Sequence, residues 1–228
     1  MMKKYIGVAL GLFFLLACKE GKKVTTKEEK TPTILEKVAF AHGFEHFKGI
    51  REIQFTFNVD RDTSHFQRSW TWNTQTHEVV ADSNGERSTY NHKEVDSSTA
   101  KIDAAFINDK YWLLAPFNLL WDKDNFTFEH QMEIIAPISK TPMQRLTIVY
   151  GNEGGYTPGD AYDFYLDANN LIKEWVFRRG NQEAPSTITT WENYVDLNGL
   201  KIATMHTNED GSFKLYFTDL KTIPREMN

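Results

Sequence analysis

From Thr33 the apolar residues recur at helical spacing, with Ile34, Val38 and Ala41 at i, i+4 and i+7. Thr33 and Glu36 have the spacing of a capping box, Pro32 stands just before them, and Gly43 is a natural stop. These residues predict a short helix. After Gly49 the period falls from 3.6 to 2. Ile53, Phe55, Phe57 and Val59 alternate with Gln54, Thr56 and Asn58. Phe126, Phe128, His130, Met132 and Ile134 alternate with Thr127, Glu129, Gln131 and Glu133. Tyr162, Phe164 and Leu166, and later Phe213, Leu215 and Phe217, repeat the alternation. It predicts antiparallel strands with one face buried. Asn84-Gly85, Asn198-Gly199 and Asp210-Gly211 suit tight hairpins between them. About ten to twelve strands are expected between Arg51 and Asp219.

One helical interruption is expected over Ser97–Ile107, which carries a serine cap and apolar Ile102, Ala105 and Phe106. The next segment, Tyr111–Trp121, is the most apolar beyond the first twenty residues and too short to cross a bilayer. Its apolar run followed by Pro116 reads as a core strand ended by a proline-broken turn. A second reading makes it the wall of an apolar cavity, of the kind a curling sheet leaves when its interior is not filled. The fold class is therefore mainly β with few helices. A single curved antiparallel sheet or open half-barrel carries an N-terminal helix and one helical insert. One domain over 33–222 and a tail over 223–228 are the simplest division.

Composition narrows the function classes. The 228 residues carry a formal charge of −5, which argues against a nucleic-acid partner. Aromatics make up 14%, in keeping with a β-rich core. The one cysteine excludes an internal disulfide and a cysteine-based metal cluster.

The beginning of the chain carries the most specific signal. Lys3 and Lys4 precede an apolar run from Tyr5 to Leu16 that is too short to span a membrane. Leu15-Leu16-Ala17-Cys18 resembles the lipobox of bacterial lipoprotein signal peptides. The resemblance implies a signal peptide over 1–17, cleavage after Ala17 and acyl chains on Cys18, a durable membrane anchor. Residues 18–32, charged and poor in apolar side chains, then form a flexible tether. Lys19 lacks the aspartate that resembles an inner-membrane retention signal. The expectation is an outer-membrane lipid anchor in the cell envelope, with the face left open.

Lipobox, tether, helix and consecutive strands curling over a helical insert together resemble the LolA-type envelope carriers. The segment Thr157–Asp167, with Ile172-Lys173-Glu174-Trp175, Thr190-Trp191-Glu192 and Tyr111–Phe117, is similar to a family of Gram-negative lipoproteins to which no activity is attached. The first resemblance implies an open sheet with helices at its mouth. The lipid anchor departs from a soluble shuttle and is closer to the LolB-type acceptor.

Several constellations invite chemical readings. His42-Gly43-Phe44-Glu45-His46 matches the H-x-x-E-H of inverted zinc proteases, in which two histidines on one helical face hold zinc. Gly43 inside the motif favours a helix end instead, where histidines meet the negative end of the dipole. His130 and His206 read as hydrogen-bonded core histidines. Gly151–Asp160 is glycine-rich but lacks the lysine of a phosphate loop, and reads as a strand connection or a gating loop. Asp122/Asp124 and Asp160/Asp163 are carboxylate pairs of the kind glycoside hydrolysis uses, and strand-end solvation accounts for them equally well. Trp70 and Trp72 share a face with Arg68, as sheet packing or as a stacking surface. No residue is assigned a catalytic role and no cofactor is expected.

The first functional expectation is a non-enzymatic binder of a lipid or lipoprotein acyl chain. Phe55, Phe57, Trp112, Leu114 and Phe117 would line its cavity, with Phe164 opposite. The alternatives are an anchored metal-dependent or carbohydrate hydrolase, and a structural or complex-forming lipoprotein with a filled core and an unspecified protein partner.

Overall fold

The computed structural model describes residues 31–226 apart from Asn84. The signal peptide, Cys18 and the tether as far as Lys30 lie outside the described residues. From Pro32 onward the chain forms one compact unit. Two short helices come first, α1 (Ile34–Ala41) and α2 (Phe44–Phe47). Four strands follow: β1 (Ile50–Arg61), β2 (Ser64–Asn73), β3 (Glu78–Ser83) and β4 (Glu86–Asn91). The long helix α3 (Ala100–Trp121) separates them from β5 (Phe126–Ile135), β6 (Pro142–Tyr150), β7 (Ala161–Leu166), β8 (Ile172–Arg178) and β9 (Thr187–Thr190). The chain closes with β10 (Glu192–Leu197), β11 (Leu200–Thr207) and β12 (Phe213–Pro224).

The protein is mainly β, and every strand pair is antiparallel. A seven-stranded sheet has the order β10-β11-β12-β1-β2-β3-β4, and a five-stranded sheet has the order β5-β6-β7-β8-β9. The two do not close into a barrel. The chain passes from one sheet to the other at Trp191, whose backbone N–H still bonds Lys173 O at 2.7 Å. Beside this crossing, Thr207 N–H donates to Thr190 Oγ1 at 3.1 Å.

Helix α1 forms as its sequence directs. The Thr33 hydroxyl accepts from Glu36 N–H, and the Glu36 carboxylate accepts from Thr33 N–H at 2.7 Å, so the capping box is complete. The helix ends where Gly43 takes φ +85°, a conformation glycine adopts at little cost. Glycine is required there for a second reason. A Cβ on Gly43 would lie 1.9 Å from the carbonyl oxygen of Gly199, in the β10–β11 hairpin. His42 O accepts from Lys201 N–H at 3.0 Å, so the helix end is sewn to that hairpin. The H-x-x-E-H spacing thus coincides with a packing corner.

Tyr111–Trp121 is helix rather than strand and turn, which corrects the sequence expectation. Leu114 (φ −127°, ψ 24°) departs from helical geometry, and Pro116 lies two residues on. The kink absorbs the missing N–H and the ring clash that proline brings to a helix interior. Amphipathic periodicity is absent because both faces of the helix are covered. Phe106, Leu113, Leu114 and Phe117 join the core of the seven-stranded sheet, beside Phe55, Trp70, Trp72 and Phe217. Tyr111, Ala115 and Leu119 join a second core with Leu35 and Val38 of α1 and Tyr162, Phe164 and Trp175 of the five-stranded sheet. At roughly 1.5–3 kcal/mol per fully buried large side chain, α3 contributes on the order of 10 kcal/mol of gross hydrophobic stabilisation before ordering costs.

A polar tether fixes α3 against β2. Arg68 Nε and Nη2 donate to the two carboxylate oxygens of Asp109 at 2.5 and 2.7 Å. Trp70 Nε1 adds a bond at 2.8 Å and Asn108 Nδ2 one at 3.0 Å. Asp109 is fully buried, and burial raises its pKa against the lowering pull of Arg68.

β5 departs from the predicted alternation. Phe128 and Met132 are 48% and 61% exposed, and His130 is exposed, bonded to Gln144 rather than set in a core. The strand is a sheet edge. It also breaks register between Gln131 and Ile134, where Glu133 takes φ +57°. Past the break, Ile134 packs with Ala136, Tyr165 and Val176 in a third cluster.

Two substitutions test this framework. Asp109→Asn leaves Arg68 and Trp70 without their anionic partner and should lower the unfolding free energy by about 3 kcal/mol in urea denaturation; a loss under about 1 kcal/mol would show that the pair is not a structural tether. Gly43→Ala should cost at least about 2 kcal/mol, because the hairpin backbone cannot yield without breaking the Lys201 bond; an unchanged midpoint would refute the close packing.

Candidate functional site

A cavity of about 930 Å³ opens beside Trp112 of α3. Its apolar wall comes from five places in the chain: Phe57 and Val59 of β1, Trp112 of α3, Ile138 after β5, Ile188 of β9, and Phe213 and Leu215 of β12. The β1 and β12 residues are neighbours because the first and last strands pair, with Val59 opposite Leu215 and Arg61 opposite Phe213. Polar residues share the lining, among them Arg61, Asp62, Asn208, Glu209 and Asp210. The Arg61 guanidinium lies 5.4 Å from the centre of the Phe213 ring.

The loop after β5 is held by a buried anion. Glu174 of β8 is only 2% exposed and accepts from Ile138 N–H at 2.7 Å and Ser139 N–H at 2.8 Å. This pair of charge-assisted bonds positions Ile138 in the cavity wall. Lys140 then reaches Glu209 on the opposite loop at 3.1 Å. Both side chains are well exposed, so this bridge is worth little to stability.

The base of the site is aromatic. Trp112 lies edge-on to Trp175 at 4.3 Å between ring centres and to His206 at 5.3 Å. His206 also meets Trp191 at 4.6 Å and Phe217 at 6.0 Å. Its Nδ1 is 3.2 Å from Thr190 O. It is a core histidine, as the sequence predicts, and burial pushes its pKa down to about 3.

The expected lining residues fall in three places. Phe57 and Trp112 line the cavity. Phe55, Leu114 and Phe117 lie in the core between α3 and the seven-stranded sheet. Phe164 lies in the other core, 6.1 Å from Trp175. Val59, Ile138 and Ile188 were not singled out. The alternation of β1 contains Val59, but no local pattern could bring Ile138 and Ile188 to the same wall.

His42 and His46 serve different surroundings. His42 is buried, its Nδ1 2.8 Å from Val38 O and its Nε2 3.1 Å from Tyr194 Oη. Burial lowers its pKa to about 4. His46 is exposed, with its ring close to Gly199. Among the described residues no group of three or more His, Cys, Asp or Glu side chains is placed to hold a metal ion. Asp163 is paired with Arg178 at 3.0 Å and accepts from Thr147 at 2.6 Å, whereas Asp160 caps Gly180 N–H at 2.7 Å. Asp122 accepts from Tyr150 and Asn118. Trp70 and Trp72 pack on Phe106 inside the sheet. In the glycine-rich loop, Tyr156 stacks on Tyr111 at 3.8 Å, fastening the loop to α3.

No family model and no curated protein matches the chain. Among solved structures it is similar to a DUF1329 family protein from Desulfovibrio piger, with a TM-score of 0.48, 10% identity, and coverage of 84% of this chain and 94% of that one. It is also similar to a LolA superfamily protein from Nitrosomonas europaea, with a TM-score of 0.45, 11% identity, and coverage of 86% and 93%.

The two buried histidines make stability depend on pH. Their folded pKa values lie below the unfolded value of 6.5, so the native state binds fewer protons. Their contribution is complete above about pH 6.5 and is lost as the pH falls towards the folded values. Between about pH 6 and pH 4.5 the unfolding free energy of His206→Phe should fall less steeply than that of the parent, by about 1.4 kcal/mol per pH unit. Equal slopes in urea titrations at each pH would show that His206 is not held neutral.

Proposed function

We propose that this chain is a non-enzymatic, lipid-anchored envelope protein that binds an apolar or amphipathic ligand, a lipid or a lipoprotein acyl chain. The lipobox-like Leu15–Cys18 supports the anchor, through acyl chains on Cys18, and outer-membrane residence. The cavity of about 930 Å³, in which Phe57, Val59, Trp112, Ile188, Phe213 and Leu215 form an apolar wall beside polar residues, carries the binding reading. Its size and lining match sites that bury most of a small hydrophobic ligand and fix it by a few polar groups. An acyl chain would lie against Phe57, Trp112, Ile188, Phe213 and Leu215, and its polar head would meet Arg61 and Asn208. Binding would follow from removing methylenes from water, at about 0.8 kcal/mol each.

Organic extraction of the purified protein should recover bound lipid. Added fatty acids should bind about tenfold more tightly for every two methylenes until the cavity is filled. Ile188→Trp, which places a larger ring in the wall, should abolish uptake of a fluorescent fatty acid while leaving the thermal midpoint within a few degrees. Protein that yields no lipid and takes up no fatty acid of any length is not a binder of this class.

A further inference from the structure

A second cavity, of about 450 Å³, shares no lining residue with the first. It lies beside the outer turn of α3, and its walls include Phe47, Trp72, Lys110, Asn118, Trp121 and Tyr156. Lys110 is the unusual member. Its ammonium stands 5.3 Å from the Trp72 ring centre, 5.6 Å from Phe106 and 5.7 Å from Trp121. It makes no hydrogen bond to any described residue, although an ammonium has three donors to place. The rings offset part of its desolvation through cation–π attraction, but they do not take up those donors.

Lys110 itself is half-buried, and two polar atoms in the same walls are buried without partners, Trp72 Nε1 and Asn118 Oδ1. The cavity therefore presents two unused donor groups and one unused acceptor among aromatic rings. Buried polar groups without partners are rare in native proteins, and two of them beside a half-buried ammonium indicate an occupant.

The charges around the cavity define that occupant. Asp122 and Asp103 lie on the acidic side, Asp103 already bonded to His92 Nδ1 at 2.5 Å. Lys93 adds a second positive charge, and His77 and His92 stand in the wall. Two carboxylates close to the half-buried Lys110 ammonium, with Lys93 exposed to solvent, disfavour a dianion such as phosphate. A monoanion with a flat or apolar body fits the rings. Burial pushes the Lys110 pKa down to about 8, against the raising effect of Asp122, so the amine is still largely charged at neutral pH and gains an opposite charge on binding.

We propose that this cavity binds a small monocarboxylate with an apolar or aromatic body, its carboxylate accepting from Lys110 Nζ, with Trp72 Nε1 and Asn118 Oδ1 as a further donor and acceptor for the rest of the ligand. The site is independent of the acyl-chain cavity.

Calorimetric titration of the full-length chain with 4-phenylbutyrate, 4-phenylbutan-1-ol and phenyl phosphate tests it. The carboxylate should bind at least about tenfold more tightly than the alcohol, the usual size of a hydrogen bond to a charged group. Lys110→Met should erase that preference while keeping a cooperative thermal transition. Ile188→Trp, in the other cavity, should leave it unchanged. Equal binding of carboxylate and alcohol, or a preference that survives Lys110→Met, overturns the proposal. Tighter binding of phenyl phosphate overturns the choice of a monocarboxylate. Loss of the preference in Ile188→Trp shows that the ligand occupies the first cavity and overturns the separate site.

Discussion

The burial of α3 on both faces is the constraint from which the rest of the structure follows. A helix with a polar stripe would rest on one sheet. This one has Leu113, Leu114 and Phe117 on one side and Tyr111, Ala115 and Leu119 on the other, so each side needs its own cover. The seven-stranded and five-stranded sheets supply the two covers, and α1 completes the second with Leu35 and Val38. The Arg68–Asp109 pair sets the helix against β2, and the Tyr156–Tyr111 stack brings the glycine-rich loop over it. A buried ion pair of this kind contributes little net stability, because desolvating both charges offsets their attraction. Its effect is positional: Arg68 and Asp109 can both be satisfied in only one placement of the helix.

Two spaces lie beside α3, and their chemistries differ. The larger sets apolar side chains of β1, β9, β12 and Trp112 against polar ones such as Arg61, Asp62, Asn208 and Asp210. The smaller is rich in aromatic rings and lies along the second half of α3, from Lys110 to Asn118, Trp121 and the capping residue Asp122. The lip of the larger depends on Glu174, a carboxylate nearly removed from solvent whose two oxygens each hold a backbone N–H of the loop after β5. Backbone donors in an irregular segment must be satisfied, and a buried glutamate does this while drawing Ile138 into the wall.

Local signals were legible where local physics decides. The Thr33–Glu36 capping box, the end of α1 at Gly43 and the Asn198-Gly199 turn between β10 and β11 all formed as their residues direct. So did the strands β1 and β12, whereas β7, expected to bury one face, is buried on both. The reading failed at Tyr111–Trp121 because strand and fully buried helix share one appearance, a continuous apolar run, and Pro116 tipped the balance the wrong way. It failed at β5 because alternation shows that a strand could bury one face, not that anything lies over that face. Of the expected lining, Phe57 and Trp112 reach the larger cavity, whereas Phe55, Leu114, Phe117 and Phe164 pack against α3 or behind it.

The sequence alone determined the mainly antiparallel class, the ends of α1, the hairpin positions and a histidine at 206 suited to a core, since each depends on residues within a few positions of one another or on side-chain polarity. Only the tertiary structure decided that β1 pairs with β12, that Gly43 must be a glycine to pass Gly199, that His42 and His46 face different surroundings, and that Lys110 is left among three aromatic rings without a hydrogen bond. Those outcomes depend on which distant surfaces meet. Contacts between residues far apart in the chain, such as Gly43 with Gly199, leave no periodic trace in the sequence that makes them.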